Sequence, residues 1–155
     1  HEALLNSYRI LPPRIYDFKK MMYTPGYAGE DFLNMDPYFI SDKKKKEGIC
    51  LSVKGLSNGA VAVLYPGVIK KLVEFMDGGF YVVFSSVHEA LIYSSKLCSL
   101  EELENLLRTS NARMTFQKEF LTDKVYYYCK EEDKFIMLRG SMKMLVTTIR
   151  MDEEN

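Results

Sequence analysis

The hydrophobic pattern changes period repeatedly along the chain, and each change marks an element. Apolar residues at 3, 4, 5, 8, 10 and 11 predict a helix over Glu2–Leu11, stopped by Pro12-Pro13, which cannot continue it. Phe18, Met21 and Met22 at helical spacing predict a second short helix over Tyr16–Tyr23, broken by Pro25, Gly26 and Gly29. Residues 24–47 read as an ordered excursion anchored by Tyr27, Phe32, Tyr38 and Phe39, with Ser41–Gly48, which carries the lysine run 43–46, as a solvated loop.

From Ile49 the period becomes two. Ile49, Leu51 and Val53 alternate with Cys50, Ser52 and Lys54, and the apolar run Ala60–Leu64 follows across Asn58-Gly59, residues that tolerate positive φ. This predicts a β-hairpin with a second strand covered on both faces. Pro66-Gly67 then lead into an amphipathic helix bearing Val68, Ile69, Leu72, Val73, Phe75 and Met76, ended by Asp77-Gly78-Gly79. Phe80–Phe84 and Ala90–Tyr93 predict a second hairpin or one bent strand. Ser99 with Glu102 three residues on is a capping box, opening a helix to about Arg108 with Asn111 near its end. Lys124–Cys129 and Lys134–Leu138 flank an acidic turn as a third hairpin, and Met142–Ile149 alternates as a further strand. The fold class expected is α+β: an antiparallel-rich sheet with two main helices packed on it, in the order ββα-ββα-ββ.

The organisation expected is a helical and irregular N-terminal segment over 1–47, an α+β core domain over 48–150 and a charged tail over 151–155. Because the chain opens on His1 and directly on helical patterning, residues 1–47 are expected to continue a region upstream, and packing on that region is one partner reading.

Composition narrows the class. The chain has 155 residues, 47% of them hydrophobic, enough to bury a core, and its 21 basic residues balance 21 acidic ones. A balanced charge gives no field to draw nucleic acid or an anionic membrane, so neither is expected as a partner. Cys50, Cys98 and Cys129 are odd in number and widely spaced, which reads as free thiols in a reducing, cytoplasmic compartment. The longest apolar run, Ala60–Tyr65, is far short of the roughly 20 residues that span a bilayer.

One set of strings carries a resemblance: Ser57-Asn58-Gly59-Ala60, Leu64-Tyr65-Pro66-Gly67-Val68, Phe80-Tyr81, Ser85-Ser86-Val87-His88-Glu89, and Asp123 with Val125-Tyr126-Tyr127-Tyr128. In order and spacing the chain resembles an uncharacterised domain family of gut clostridia and related Firmicutes, over most of residues 1–138. The resemblance implies a bacterial, cytoplasmic protein and transfers no catalytic residue. Departures are the lysine run 43–46 and Phe84, where relatives tend to carry proline.

Candidate chemistry centres on residues 85–89. Ser85, Ser86, His88 and Glu89 place two hydroxyls, an imidazole and a carboxylate together, and a nucleophilic Ser/His pair would need a third group such as Asp123 to orient the ring. No GxSxG elbow accompanies them, and hydrogen bonding within a turn accounts for the same residues. Neither a metal site nor a cofactor fingerprint is present: His88 and Glu89 are adjacent without further ligand spacing, and Asn58-Gly59 and Tyr65-Pro66-Gly67 fall short of a phosphate loop. Asn58, Tyr65, Tyr126 and Tyr128 are the candidate ligand contacts, with Tyr126 and Tyr128 on one strand face and Tyr127 on the other. The reading is a non-enzymatic binding or regulatory module for a protein or small ligand, with a hydrolase-like enzyme using the Ser/His pair as the alternative.

Overall fold

The computed structural model describes residues 2–114, 124–139 and 142–143. Their strands form a single antiparallel sheet: β1 (Pro13–Tyr16), β2 (Glu30–Asp31), β3 (Ile49–Val53), β4 (Phe80–Val83), β5 (Ala90–Ser94), β6 (Val125–Cys129), β7 (Lys134–Arg139) and β8 (Met142–Lys143), in the spatial order β2-β1-β3-β5-β4-β6-β7-β8. Helices α1 (Glu2–Ile10), α2 (Phe18–Tyr23), α3 (Asp42–Glu47), α4 (Val68–Met76) and α5 (Leu100–Met114) surround it. The α+β class and the antiparallel sheet are as the pattern predicted.

The two main helices lie on opposite faces, because the period-2 alternation of the central strands is apolar on both. Val82 and Ile92 point into a large core with Leu72, Phe75 and Met76 of α4, while their neighbours Val83 and Tyr93 point into a smaller one with Leu103 of α5. Helix α5 starts after Ser99 as the sequence predicted, and α4 starts at Val68, so Pro66, which suits a first helical turn, lies just ahead of its cap. Gly67 caps α4, Asp77 closes it in the left-handed region (φ 55), and Ser99 and Glu102 exchange both bonds of the capping box at 3.2 and 2.8 Å. The helix α5 continues through Arg108 and Asn111 to Met114, since no glycine or proline interrupts those residues.

The first predicted hairpin is not formed. Ala60–Leu64 belongs to a 3₁₀ turn, Gly59–Leu64, packed beneath β3 rather than paired with it. Both edges of β3 are occupied by more distant partners: β1 along Pro13–Tyr16 and β5 along Ala90–Ile92. A five-residue apolar run reads alike as strand or buried helical segment, and competition for the sheet edge decided it.

Three further expectations change. Residues 13–16 are strand, so the helix predicted from Tyr16 begins at Phe18; Pro13 sits at the first strand position, where a missing N–H is tolerated. The lysine run is helix α3, not loop: Ser41 caps it, Asp42 lies in its first turn, and Lys44–Lys46 in its last turn complement the dipole. Lys43 pairs with Glu47 at 3.7 Å, Lys45 with Asp42 at 3.5 Å, and Lys44 with Asp17. Within the excursion Phe32 is wholly buried against Phe75, ring centroids 5.3 Å apart, whereas Tyr38 and Phe39 are exposed and anchor nothing. The second hairpin (β4–β5) and the third (β6–β7) are formed; of the strand predicted over Met142–Ile149, residues 144–149 lie outside the described residues.

Candidate functional site

The ladder between β3 and β5 runs from Ile49–Ile92 to Leu51–Ala90 and then parts. Into the gap comes the segment 57–60, with Asn58 left-handed (φ 54) so that Gly59 drops against the strand. A Cβ at Gly59 would fall 2.7 Å from the Val53 nitrogen and 2.8 Å from the His88 carbonyl oxygen, and closer still to Ser52 Oγ. Only glycine fits this approach.

Three hydrogen bonds then knit the parted strands and the wedge together, and two more brace the turn. Ser52, fully buried, donates from Oγ to the His88 carbonyl at 2.5 Å. Ala60 N–H donates to the Val87 carbonyl at 3.1 Å, and Asn58 N–H donates to His88 Nδ1 at 3.1 Å. Within the turn, His88 N–H donates to Ser86 Oγ and Ser85 Oγ donates to Glu89 Oε1, each at 3.1 Å. The two strings that carried most of the family resemblance, Ser57–Ala60 and Ser85–Glu89, are therefore one tertiary unit.

Its chemistry follows from where the protons are. Nδ1 of His88 accepts from a backbone amide, which puts the proton of a neutral ring on Nε2. A nucleophilic pair needs a serine O–H donated to imidazole nitrogen, and among the described residues neither serine does this: Ser85 is turned to Glu89 and Ser86 serves the turn as an acceptor. Asp123, the carboxylate that reading required, lies outside the described residues. Among the described residues no group of three His, Cys, Asp or Glu side chains is placed to hold a metal ion, and no helix is long and apolar enough to cross a membrane.

The candidate ligand contacts fall mostly into the core. Tyr65 is 1% exposed and meets Tyr8 edge-on at 6.2 Å, and its burial raises its hydroxyl pKa. Tyr128 stacks on Phe80 at 5.1 Å and bonds Asp133, and Tyr126 packs on Phe84 at 5.5 Å. Tyr127 points to the other face, toward Tyr81, as alternation requires. Asn58 is the tip of the wedge.

What sequence reasoning missed is an uncovered helix. Asp17 caps α2 by accepting from Lys19 and Lys20 N–H at 2.9 and 3.1 Å, yet none of the six α2 residues is buried. Phe18 is 50% exposed, Met22 71% and Tyr23 78%. Beside them a cavity of about 340 Å³ is lined by Met21, Pro25, Tyr27 and Leu56. Leu56 is held at φ 58, a strained backbone for a non-glycine residue, as is common where a side chain is aimed for function. The helical spacing of Phe18, Met21 and Met22 was legible; the exposure of Phe18, Met22 and Tyr23 among the described residues was not.

No curated protein and no solved structure matches the chain. A model of a family of unknown function, DUF5688, matches residues 1–130, most of its length. The wedge of residues 57–60 and the turn of residues 85–89 both fall inside that match, and the chain belongs to this family of unknown function, DUF5688.

Proposed function

We propose that the domain is a non-enzymatic binding module that takes an apolar segment of a protein partner on the α2 face. The observation that carries this is the contiguous uncovered cluster of Phe18, Met22 and Tyr23 beside the cavity at Met21, Tyr27 and Leu56. Large aromatic and methionine side chains left together in water are characteristic of recognition surfaces, where a few such anchors supply most of the binding energy. The hydrogen bonding of Ser85, Ser86 and His88 favours a structural role for the turn over the hydrolase alternative. The three free cysteines support placement in a reducing, cytoplasmic compartment.

Selection from a displayed peptide library on the immobilised domain, followed by fluorescence-polarisation titration, tests this. Recovered peptides should bind the native domain and His88→Ala alike and lose binding to a Met22→Asp/Tyr23→Ser variant. Failure to recover any peptide, or binding indifferent to the α2 substitutions, sinks the proposal. Ester hydrolysis that disappears in both Ser86→Ala and His88→Ala would establish the enzymatic alternative instead.

A further inference from the structure

A second concavity, sharing no residue with the α2 surface, opens between α3 and α5 over strand β5. It measures about 390 Å³, within the range of small-molecule sites, and its lining includes Lys46, Tyr93, Cys98, Glu102, Leu103 and Leu106. The floor is apolar: Leu103 is 1% exposed, and Cys98 and Tyr93 are also buried.

Tyr93 is the telling residue. Its relative exposure is only 3%, yet its side chain lines the cavity. Its oxygen is not among the buried side-chain atoms left without a partner, so the hydroxyl opens on the cavity rather than being sealed in the core. The position of the ring is set by the end of α3. Gly48, at φ +102, closes that helix, and a Cβ there would come 2.6 Å from Tyr93 Cε1 and 3.0 Å from its hydroxyl oxygen. The phenol therefore ends at the α3 wall of the cavity, beside the turn that carries Lys46. Burial also holds its pKa up at about 12, so at neutral pH it is a donor.

The charges around the cavity are committed unequally. Glu102 accepts the Ser99 N–H at 2.8 Å in the capping box, and Lys43 is paired with Glu47. Lys46 has no ion-pair partner within 4 Å among the described residues; the Ser99 hydrogen bonds, and after them the Lys46 charge, hold the Glu102 carboxyl below its usual range, while burial pushes the Cys98 thiol up.

We infer that this cavity binds a small organic carboxylate with an apolar tail. The carboxylate accepts the Tyr93 O–H and faces the Lys46 ammonium, and the tail lies on Leu103, Leu106 and the Cys98 thiol. A carboxylate suits the site because it accepts both a neutral and a charged donor, and the charge-assisted bond is the stronger. An aliphatic or aryl tail suits it because Leu103 and Leu106 line it and the Cys98 thiol is already turned to the Ser99 carbonyl at 3.6 Å.

The test is titration of the ¹⁵N-labelled domain with 4-phenylbutyrate, with 4-phenylbutanol as the uncharged control. Saturable amide shifts are expected at Lys46–Gly48, Tyr93 and Cys98–Leu106, with the alcohol binding more weakly. Tyr93→Phe keeps the ring and the fold while removing the donor, and should weaken the acid about tenfold, as should Lys46→Gln. The alcohol should be indifferent to Lys46→Gln. Shifts confined to other residues, no saturable shifts, equal binding of acid and alcohol, or full affinity in both variants would overturn the inference. An unchanged α2 surface throughout separates this site from the peptide-binding proposal.

Discussion

Substituting Gly59 by alanine tests the wedge directly, because its consequence is steric rather than conformational. Gly59 does not occupy the left-handed region, so an alanine would be acceptable to the backbone and, in the absence of neighbours, slightly stabilising through the unfolded state. The neighbours decide otherwise. Two of the three atoms that the new methyl meets, the Val53 nitrogen at 2.7 Å and the His88 carbonyl oxygen at 2.8 Å, are backbone of two strands and cannot rotate away. The third, Ser52 Oγ, can rotate, but only by giving up its 2.5 Å bond to the His88 carbonyl inside a fully buried site. Overpacking of this kind costs about 1–3 kcal/mol, and the lost buried hydrogen bond adds about 1 kcal/mol. A destabilisation of about 2–4 kcal/mol is expected, read as the urea midpoint by far-UV circular dichroism, since the chain has no tryptophan to report on unfolding. Ser52→Ala/Gly59→Ala should recover part of the loss by removing the nearest atom, so the two substitutions should be non-additive. A Gly59→Ala variant within about 0.5 kcal/mol of the native domain, in the ordinary range for surface changes, would refute the wedge.

Phe32→Ala should cost about 3–5 kcal/mol by urea denaturation, because Phe32 is wholly buried against Phe75; a surface-like loss would mean that the segment before α3 is not part of the core. Ser99→Ala should lower stability by about 1 kcal/mol through loss of the α5 cap, measured in the same way. His88→Ala should cost about 1 kcal/mol, the worth of one backbone amide left to water, with no change in peptide binding. Alkaline pH should destabilise the domain. Burial raises Cys50 from 9.0 to about 12, so the folded state keeps a proton that the unfolded state loses between those values. Stability from this group is intact below pH 9 and falls as pH rises, with a limiting slope of about 1.4 kcal/mol per pH unit. Cys50→Ala should lessen the fall of the urea midpoint above pH 9, the part that remains coming from Tyr93 and other groups that burial raises, and an unchanged slope would contradict the assignment to Cys50.

Legibility in the sequence followed the range of the interaction. The capping box at Ser99–Glu102, the amphipathic stripe of α4 with its Asp77-Gly78 stop, and the hairpins β4–β5 and β6–β7 rest on contacts within a few residues or one turn, and each stood where the pattern put it. The paired faces of Tyr126 and Tyr128 were equally readable, since strand alternation is local geometry. Tertiary competition decided the rest. Ala60–Leu64 is as apolar as a strand, but β1 and β5 had already filled both edges of β3, and the Asn58-Gly59 turn became a wedge against His88 rather than the tip of a hairpin. The close succession of Ser85, Ser86, His88 and Glu89 left a reaction centre as an alternative beside the structural reading, because sequence shows which groups are near one another, not which atoms they satisfy. The exposure of Phe18, Met22 and Tyr23 and the place of Tyr93 in the wall of a cavity were likewise invisible along the chain. Sequence sets the period of apolar residues and the caps that end each element; which face is finally covered depends on the distant segments that pack there.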